Sequence, residues 1–194
     1  MLFTAHNASS LSAIIPTYTT TGDSTTIYFT NGTNIMQNIR TKALLNRLAK
    51  ALAYDLNTVR KISRQNTNSY LLSPLPLTSS LILMPIKIRT PRVRGDTSMG
   101  YINATQNITV RQGRIKGYKS LLVLPNEIYL DCLWDVNTVV RRLQVAKALV
   151  LYTPYFPSLY VSENDQTSDI MSLMQNIALV FYELSLFQQT TLRR

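Results

Sequence analysis

The chain has little of what most enzymes and metal sites are built from. It contains one cysteine, Cys132, and one histidine, His6, among 194 residues. A single cysteine forms no internal disulfide, and a single histidine supplies no histidine-based metal cage. The six glycines include no phosphate-cradling loop, and no two carboxylates have the spacing of an acid/base pair. The composition therefore predicts a protein without catalytic residues, metal or cofactor.

Long apolar runs are also missing. The longest, 177–182, has six residues, against the ~20 that a membrane-spanning helix requires. The first residues show no basic stretch followed by an apolar one, so we expect no secretory signal and a cytoplasmic protein without a membrane partner.

Acidic residues are scarce, and the positive charge is concentrated. The chain has 20 lysines and arginines against 10 acids, a net charge of +10. Residues 40–119 carry 15 of those bases and two acids, Asp55 and Asp96, so the net charge of this window is +13. Such a window favours a polyanionic partner, most often nucleic acid, over a solvated face that only keeps the protein in solution.

Apolar periodicity and turn signals predict an α+β fold: a mostly antiparallel sheet, two to three packed helices and an apolar C-terminal helix. Predicted strands include 11–16, 25–30, 33–39, 81–88, 101–110, 121–124 and 128–130, with a hairpin turn at Asn31-Gly32. Helices are predicted at 40–53, 58–65 and 138–151, with Asn57 and Asn137 capping the last two. We expect a basic DNA-binding domain over 1–151, followed over 152–194 by an extended linker and a helix for activation or oligomerisation.

Two segments could carry nucleic-acid binding. The first, 48–62, resembles a helix-turn-helix: Ala53 stands where glycine is usual at the turn. In that arrangement Arg60, Lys61 and Arg64 would face phosphate or base edges. A plain pair of antiparallel helices has the same pattern, so both interpretations stay open.

The second segment is 86–96, which carries Lys87, Arg89, Arg92 and Arg94 on a proline-stiffened stretch predicted to be an extended arm. Arginine arms enter narrow A/T-rich minor grooves, where the negative potential is strongest. A basic edge strand that prevents sheet-to-sheet pairing is the alternative. Four bases in eight residues are denser than edge protection needs, which favours binding.

The central block then resembles a known family. LPLTSSLILMPIKIRTPRVRGDTSMGYIN at 75–103, preceded by LSAIIP at 11–16 and NSYLLSP at 68–74, is similar to competence transcription factors of the ComK type. The resemblance is most specific over 84–103. The helical insert at 40–65 is longer than in that pattern, and 64–67 lacks its basic turn.

This resemblance implies a transcriptional activator of DNA-uptake genes that binds A/T-rich double-stranded DNA from the minor groove. It implies paired dimers, and a C-terminal region that serves activation and adaptor-dependent proteolysis. By position, it implies DNA contacts from Lys87, Arg89, Arg92 and Arg94.

Two other classes of function remain open from the sequence. An RNA-binding protein would display stacking aromatic residues, and here the tyrosines of the basic window are scattered. A membrane-surface or protein-docking module would use the helix at 40–53 and the aromatic segment 152–160. The apolar face of that helix has no tryptophan or phenylalanine, which argues against membrane insertion.

Overall fold

The computed structural model describes residues 8–20, 22–67 and 72–150. The chain divides into two compact units, Met1–Pro157 and Ser158–Arg194, and every described residue lies in the first. The strands are β1 Leu11–Thr19, β2 Gly22–Phe29, β3 Asn34–Gln37, β4 Leu75–Thr78, β5 Leu81–Lys87, β6 Met99–Asn103, β7 Thr109–Gln112, β8 Ser120–Leu124 and β9 Ile128–Cys132. The helices are α1 Thr41–Ala51, α2 Leu56–Thr67 and α3 Val136–Ala148, with a 3-10 turn at Pro125–Glu127. The predicted α+β class is confirmed; the linker and helix predicted within 152–194 lie outside the described residues.

The strands form two antiparallel sheets. The large sheet has the order β3-β2-β1-β6-β5-β4, and the small sheet has the order β7-β8-β9. The hairpin predicted at Asn31-Gly32 joins β2 to β3. Gly32 has a φ of +83°, and the Asn31 carboxamide accepts the backbone N–H of Thr33 at 3.0 Å. Asn31 therefore stabilises this turn by a side-chain hydrogen bond, and Gly32 by adopting a left-handed backbone conformation.

Both faces of the large sheet are covered. The helices α1 and α2 pack on one face, and the small sheet with α3 packs on the other. Strand β5 shows the consequence: Leu81 and Leu83 belong to the first core, whereas Ile82, Met84 and Ile86 belong to the second. A strand buried on both sides has no polar face, which explains its unbroken apolar run.

The predicted helices are present, but their caps differ from the prediction. Asp55 caps α2 and Asp135 caps α3, in place of Asn57 and Asn137. Asp55 accepts both the backbone N–H and the hydroxyl of Thr58 at 2.8 Å, and these bonds lower the pKa of its carboxyl. A carboxylate also interacts favourably with the positive end of the helix dipole. Each helix therefore begins directly after its aspartate.

Several predicted strands have different bounds, and for two of them the strand pairing gives the reason. The strand predicted to end at Pro16 continues to Thr19, because β6 pairs with β1 only at Ala13 and Ile14. Beyond those pairs β1 has one neighbouring strand, where proline is tolerated. The single strand predicted at 101–110 is wrong: β6 and β7 are separate strands in different sheets.

Asn103 fixes the point where the chain leaves the large sheet. Its side chain is buried, and its amide nitrogen donates to the carbonyls of Leu11 and Ser80 at 3.1 and 2.9 Å. Its amide oxygen accepts the N–H of Ile82 at 3.2 Å and both the N–H and the hydroxyl of Thr105. One side chain therefore joins β1, β5 and the segment that leads from β6 to β7.

We expect Asn103→Ala to lower the free energy of unfolding by about 3 kcal/mol, because buried polar groups of the main chain lose their partner. Urea unfolding followed by the fluorescence of Trp134, the one tryptophan, measures the change. Asn107→Ala is the control, since Asn107 is exposed in the following loop. Equal stability of the two variants would contradict this role.

Candidate nucleic-acid interface

The predicted basic arm is a loop. Residues 88–98, here called the arginine loop, connect β5 to β6, and the N–H of Ile88 closes the base of the loop on the carbonyl of Ser98 at 2.9 Å. The expectation of an extended arm is therefore corrected: the segment folds back and packs against the end of β1. Pro91 stands on the outgoing side of the loop, and Gly95 reverses the chain with a φ of +99°.

Arg89 is the internal support of this loop. Its guanidinium forms a buried ion pair with Asp23 on β2, and its Nε donates to the carbonyl of Thr97 at 2.9 Å. The two side chains are 9% and 4% exposed. The guanidinium carbon also lies 3.8 Å from the centre of the Tyr18 ring. Arg89 is thus directed into the protein, whereas Thr90, Arg92 and Arg94 are exposed.

Tyr18 holds the outer part of the loop. Its hydroxyl donates to the carboxylate of Asp96 at 2.8 Å and accepts the backbone N–H of Arg92 at 2.7 Å. The guanidinium carbon of Arg92 lies 4.4 Å from the same ring. Arg92 and Arg94 are exposed, so two positive charges stand on a loop whose backbone is fixed from below.

A second basic loop escaped the sequence analysis. Residues 113–119, here called the β7–β8 loop, have the sequence GRIKGYK, and its three bases are exposed: Arg114, Lys116 and Lys119. Gly113 is required, because a Cβ there would lie 2.4 Å from the carbonyl oxygen of Tyr118. The signal available in the sequence is a pair of bases, Arg114 and Lys116, enclosed between Gly113 and Gly117; by charge alone they only add to the basic window.

The two loops leave the protein at the same place. The carbonyl of Lys87, immediately before the arginine loop, accepts the N–H of Leu133 at 2.8 Å. The N–H of Lys119, at the end of the β7–β8 loop, donates to the carbonyl of Cys132 at 2.9 Å. Because Cys132 and Leu133 are adjacent, the roots of the two loops, where each loop joins its strand, are adjacent too. Lys87 itself is half-buried.

The bases predicted on the second helix have separate surroundings. Lys61 and Arg64 are exposed on α2, whereas Arg60 is half-buried near the Tyr101 hydroxyl. Burial raises the pKa of Tyr101, and the Arg60 charge opposes that rise. The helix α2 packs on the face of the large sheet opposite the small sheet. The helical bases and the β7–β8 loop therefore belong to different sides of the large sheet.

The turn between α1 and α2 has the backbone geometry that is usual in a helix-turn-helix. Ala53 adopts a φ of +59°, the left-handed conformation for which glycine is usual. Val59 is buried, and Ile62 packs against the same core. The predicted pair of helices is confirmed, and groove docking by α2 stays a prediction.

Other chemistry has little support in the described ranges. Cys132 is buried, and burial raises the pKa of its thiol, so a reactive thiolate is disfavoured. In the part of the chain that the structure describes, no three His, Cys, Asp or Glu residues lie together as a metal site would need. Within those same ranges, no helix has the length and apolarity to cross a membrane.

Comparisons with known proteins add no relative. No protein-family model, curated protein or solved structure matches this chain.

The surroundings of Arg89 predict a difference between neighbouring arginines. We expect Arg89→Ala to lower the free energy of unfolding by about 3 kcal/mol, because Asp23 would remain buried without its partner. Arg92→Ala with Arg94→Ala should change it by less than about 1 kcal/mol, since both side chains are exposed. Urea unfolding monitored by circular dichroism compares the two. Equal loss in both variants would show that Arg89 is not the support of the loop.

Proposed function

We propose that this chain binds double-stranded DNA through the arginine loop and the β7–β8 loop. The observation that carries the proposal is the fixed backbone beneath Arg92 and Arg94, which Tyr18 holds by two hydrogen bonds. Charged side chains on a loop already ordered lose less conformational entropy on binding than those on a free arm. Both arginines are exposed.

The charge distribution supports a polyanionic partner. The arginine loop and the β7–β8 loop, whose roots are adjacent, carry five exposed bases: Arg92, Arg94, Arg114, Lys116 and Lys119. Arg40 adds to them, since it lines an open depression of about 600 Å³ together with Tyr18 and Arg92. A duplex neutralised by several bases releases condensed counterions, so binding of this kind weakens steeply with salt.

A preference for A/T-rich sites is part of the proposal. Narrow minor grooves of A/T-rich sequence attract arginines inserted into them. The residues 84–103, which carry the resemblance to ComK-type activators, comprise most of β5, the arginine loop and β6. A role as an activator of DNA-uptake genes follows from that resemblance and belongs to the proposal with it.

The helix pair α1–α2 offers a second mode of DNA binding. Its left-handed turn at Ala53 and the exposed Lys61 and Arg64 on α2 are the observations that favour it. In this mode α2 would lie in the major groove. The two modes use different residues, so substitutions distinguish them.

We expect Arg92→Ala with Arg94→Ala to weaken binding to an A/T-rich duplex by at least about tenfold and to reduce the salt slope by about two, because two phosphate-side charges are lost. Fluorescence anisotropy at several salt concentrations measures both quantities, with a G/C-rich duplex in parallel. Lys61→Ala with Arg64→Ala removes the same charge from α2 and is the matched control.

The outcomes separate the alternatives. Weakening by the α2 variant alone would favour the helix-turn-helix mode, and equal weakening by both would indicate a diffuse basic surface. Failure of the unaltered protein to bind either duplex, with tight binding to single-stranded RNA, would replace this function by RNA binding.

A further inference from the structure

The tips of the two basic loops have the same sequence pattern. Arg92-Val93-Arg94-Gly95 and Arg114-Ile115-Lys116-Gly117 each place an aliphatic residue between two bases and end on glycine. The two glycines have φ values of +99° and +93°, and nothing lies within 4 Å of where their Cβ atoms would be. The chain therefore reverses at both tips in open space.

The two tips also have the same hydrogen bond. The N–H of Asp96 donates to the carbonyl of Val93 at 3.3 Å, and that of Tyr118 donates to the carbonyl of Ile115 at 3.0 Å. Each tip is thus a four-residue β-turn with a base at its second position and glycine at its third, where a positive φ is needed. Two loops from separate parts of the sequence therefore have the same turn geometry at their tips.

The aliphatic side chains at these turns are exposed. Val93 is 63% exposed and Ile115 is 54% exposed. Val93 has the largest exposed fraction among the large hydrophobic residues of the described ranges. A single exposed aliphatic residue is ordinary, but two of them, each between two bases at the same position of the same kind of turn, are more than solubility or phosphate contact needs.

The surroundings of the tips restrict the partner. A side chain flanked by two cations is a poor contact for an apolar protein surface, since docking there would desolvate both charges. A nucleic acid instead offers an apolar interior, the base stack, bordered by phosphates. Proteins that bind the minor groove insert aliphatic side chains between base steps and kink the duplex.

We propose that Val93 and Ile115 are paired wedges that enter the minor groove between base steps, while the neighbouring Arg and Lys side chains contact phosphates on either side. This inference rests on the proposed DNA binding and adds that the bound duplex is bent. Both loops are held below their tips, one by the Tyr18 hydrogen bonds to Arg92 and Asp96 and one by the N–H of Gly113 donating to the carbonyl of Lys119 at 3.0 Å. A wedge requires such support, because it must unstack bases without folding back itself.

The test compares Val93→Thr with Ile115→Thr, made together, against Val140→Thr. Threonine has nearly the shape of valine but a hydroxyl in place of a methyl group, so it weakens insertion into a base stack. Val140 is 38% exposed on α3 and supplies the matched control. The DNA is an A/T-rich duplex with a fluorophore at each end, and a second duplex carries 2-aminopurine at the central step.

We expect the unaltered protein and Val140→Thr to bend the duplex by an angle within about 20–90°, raising both end-to-end energy transfer and 2-aminopurine fluorescence. The double wedge variant should bind within about tenfold of the unaltered protein with an unchanged salt slope, because its bases remain. Both bending signals should fall to those of free DNA.

Each of the following results would overturn the inference. If the unaltered protein binds an unbent duplex, or the wedge variant bends it equally, DNA binding stands and the wedges are wrong. If the wedge variant keeps bending but loses self-association in sedimentation velocity, the tips are protein contacts. If the unaltered protein binds no duplex at low salt, the proposed function and this inference fail together.

Discussion

The ion pair between Arg89 and Asp23 is the interaction on which the candidate interface depends. It joins the start of the arginine loop to β2. The Tyr18 ring lies over the guanidinium, with 3.8 Å between the guanidinium carbon and the ring centre. The same tyrosine then holds Arg92 and Asp96 by hydrogen bonds. A buried charge pair is a weak source of net stability but leaves few alternative arrangements, because either partner alone would be buried without compensation. The pair therefore fixes where the outer charges stand.

Much of the fold could be predicted from local pattern. The Asn31-Gly32 hairpin, the leucine stripe of α1 and the strand–turn–strand around Pro125 each depend on residues close in sequence. The helix caps were misassigned because both caps lie in an Asp-x-Asn-Thr run, where either polar residue is an acceptable cap. Charge decides between them, since the carboxylate interacts with the helix dipole as well as with the threonine. The local sequence therefore predicts that each helix has a polar cap, but not which residue supplies it.

The candidate site was predictable only in part, because its geometry depends on long-range contacts. A basic run with proline is typical of an extended arm, and nothing local reveals that Asp23 and Tyr18, more than 60 residues earlier, bind it. The distinction between a buried Arg89 and exposed Arg92 and Arg94 follows from those contacts alone. The β7–β8 loop was missed for a similar reason, since its position beside the arginine loop is set by hydrogen bonds to Cys132 and Leu133.

The covering of the large sheet explains why the proposed binding residues lie in loops. With α1 and α2 on one face and the small sheet with α3 on the other, neither face of that sheet is available as a platform for bases or phosphates. Partners must then meet loops, sheet edges or the outer faces of helices. Among the described residues, the two basic loops combine adjacent roots, backbone held by hydrogen bonds and a shared turn geometry. Two protruding loops held by hydrogen bonds suit a partner with a groove, such as duplex DNA. A flat open sheet would instead favour stacking of the bases of single strands.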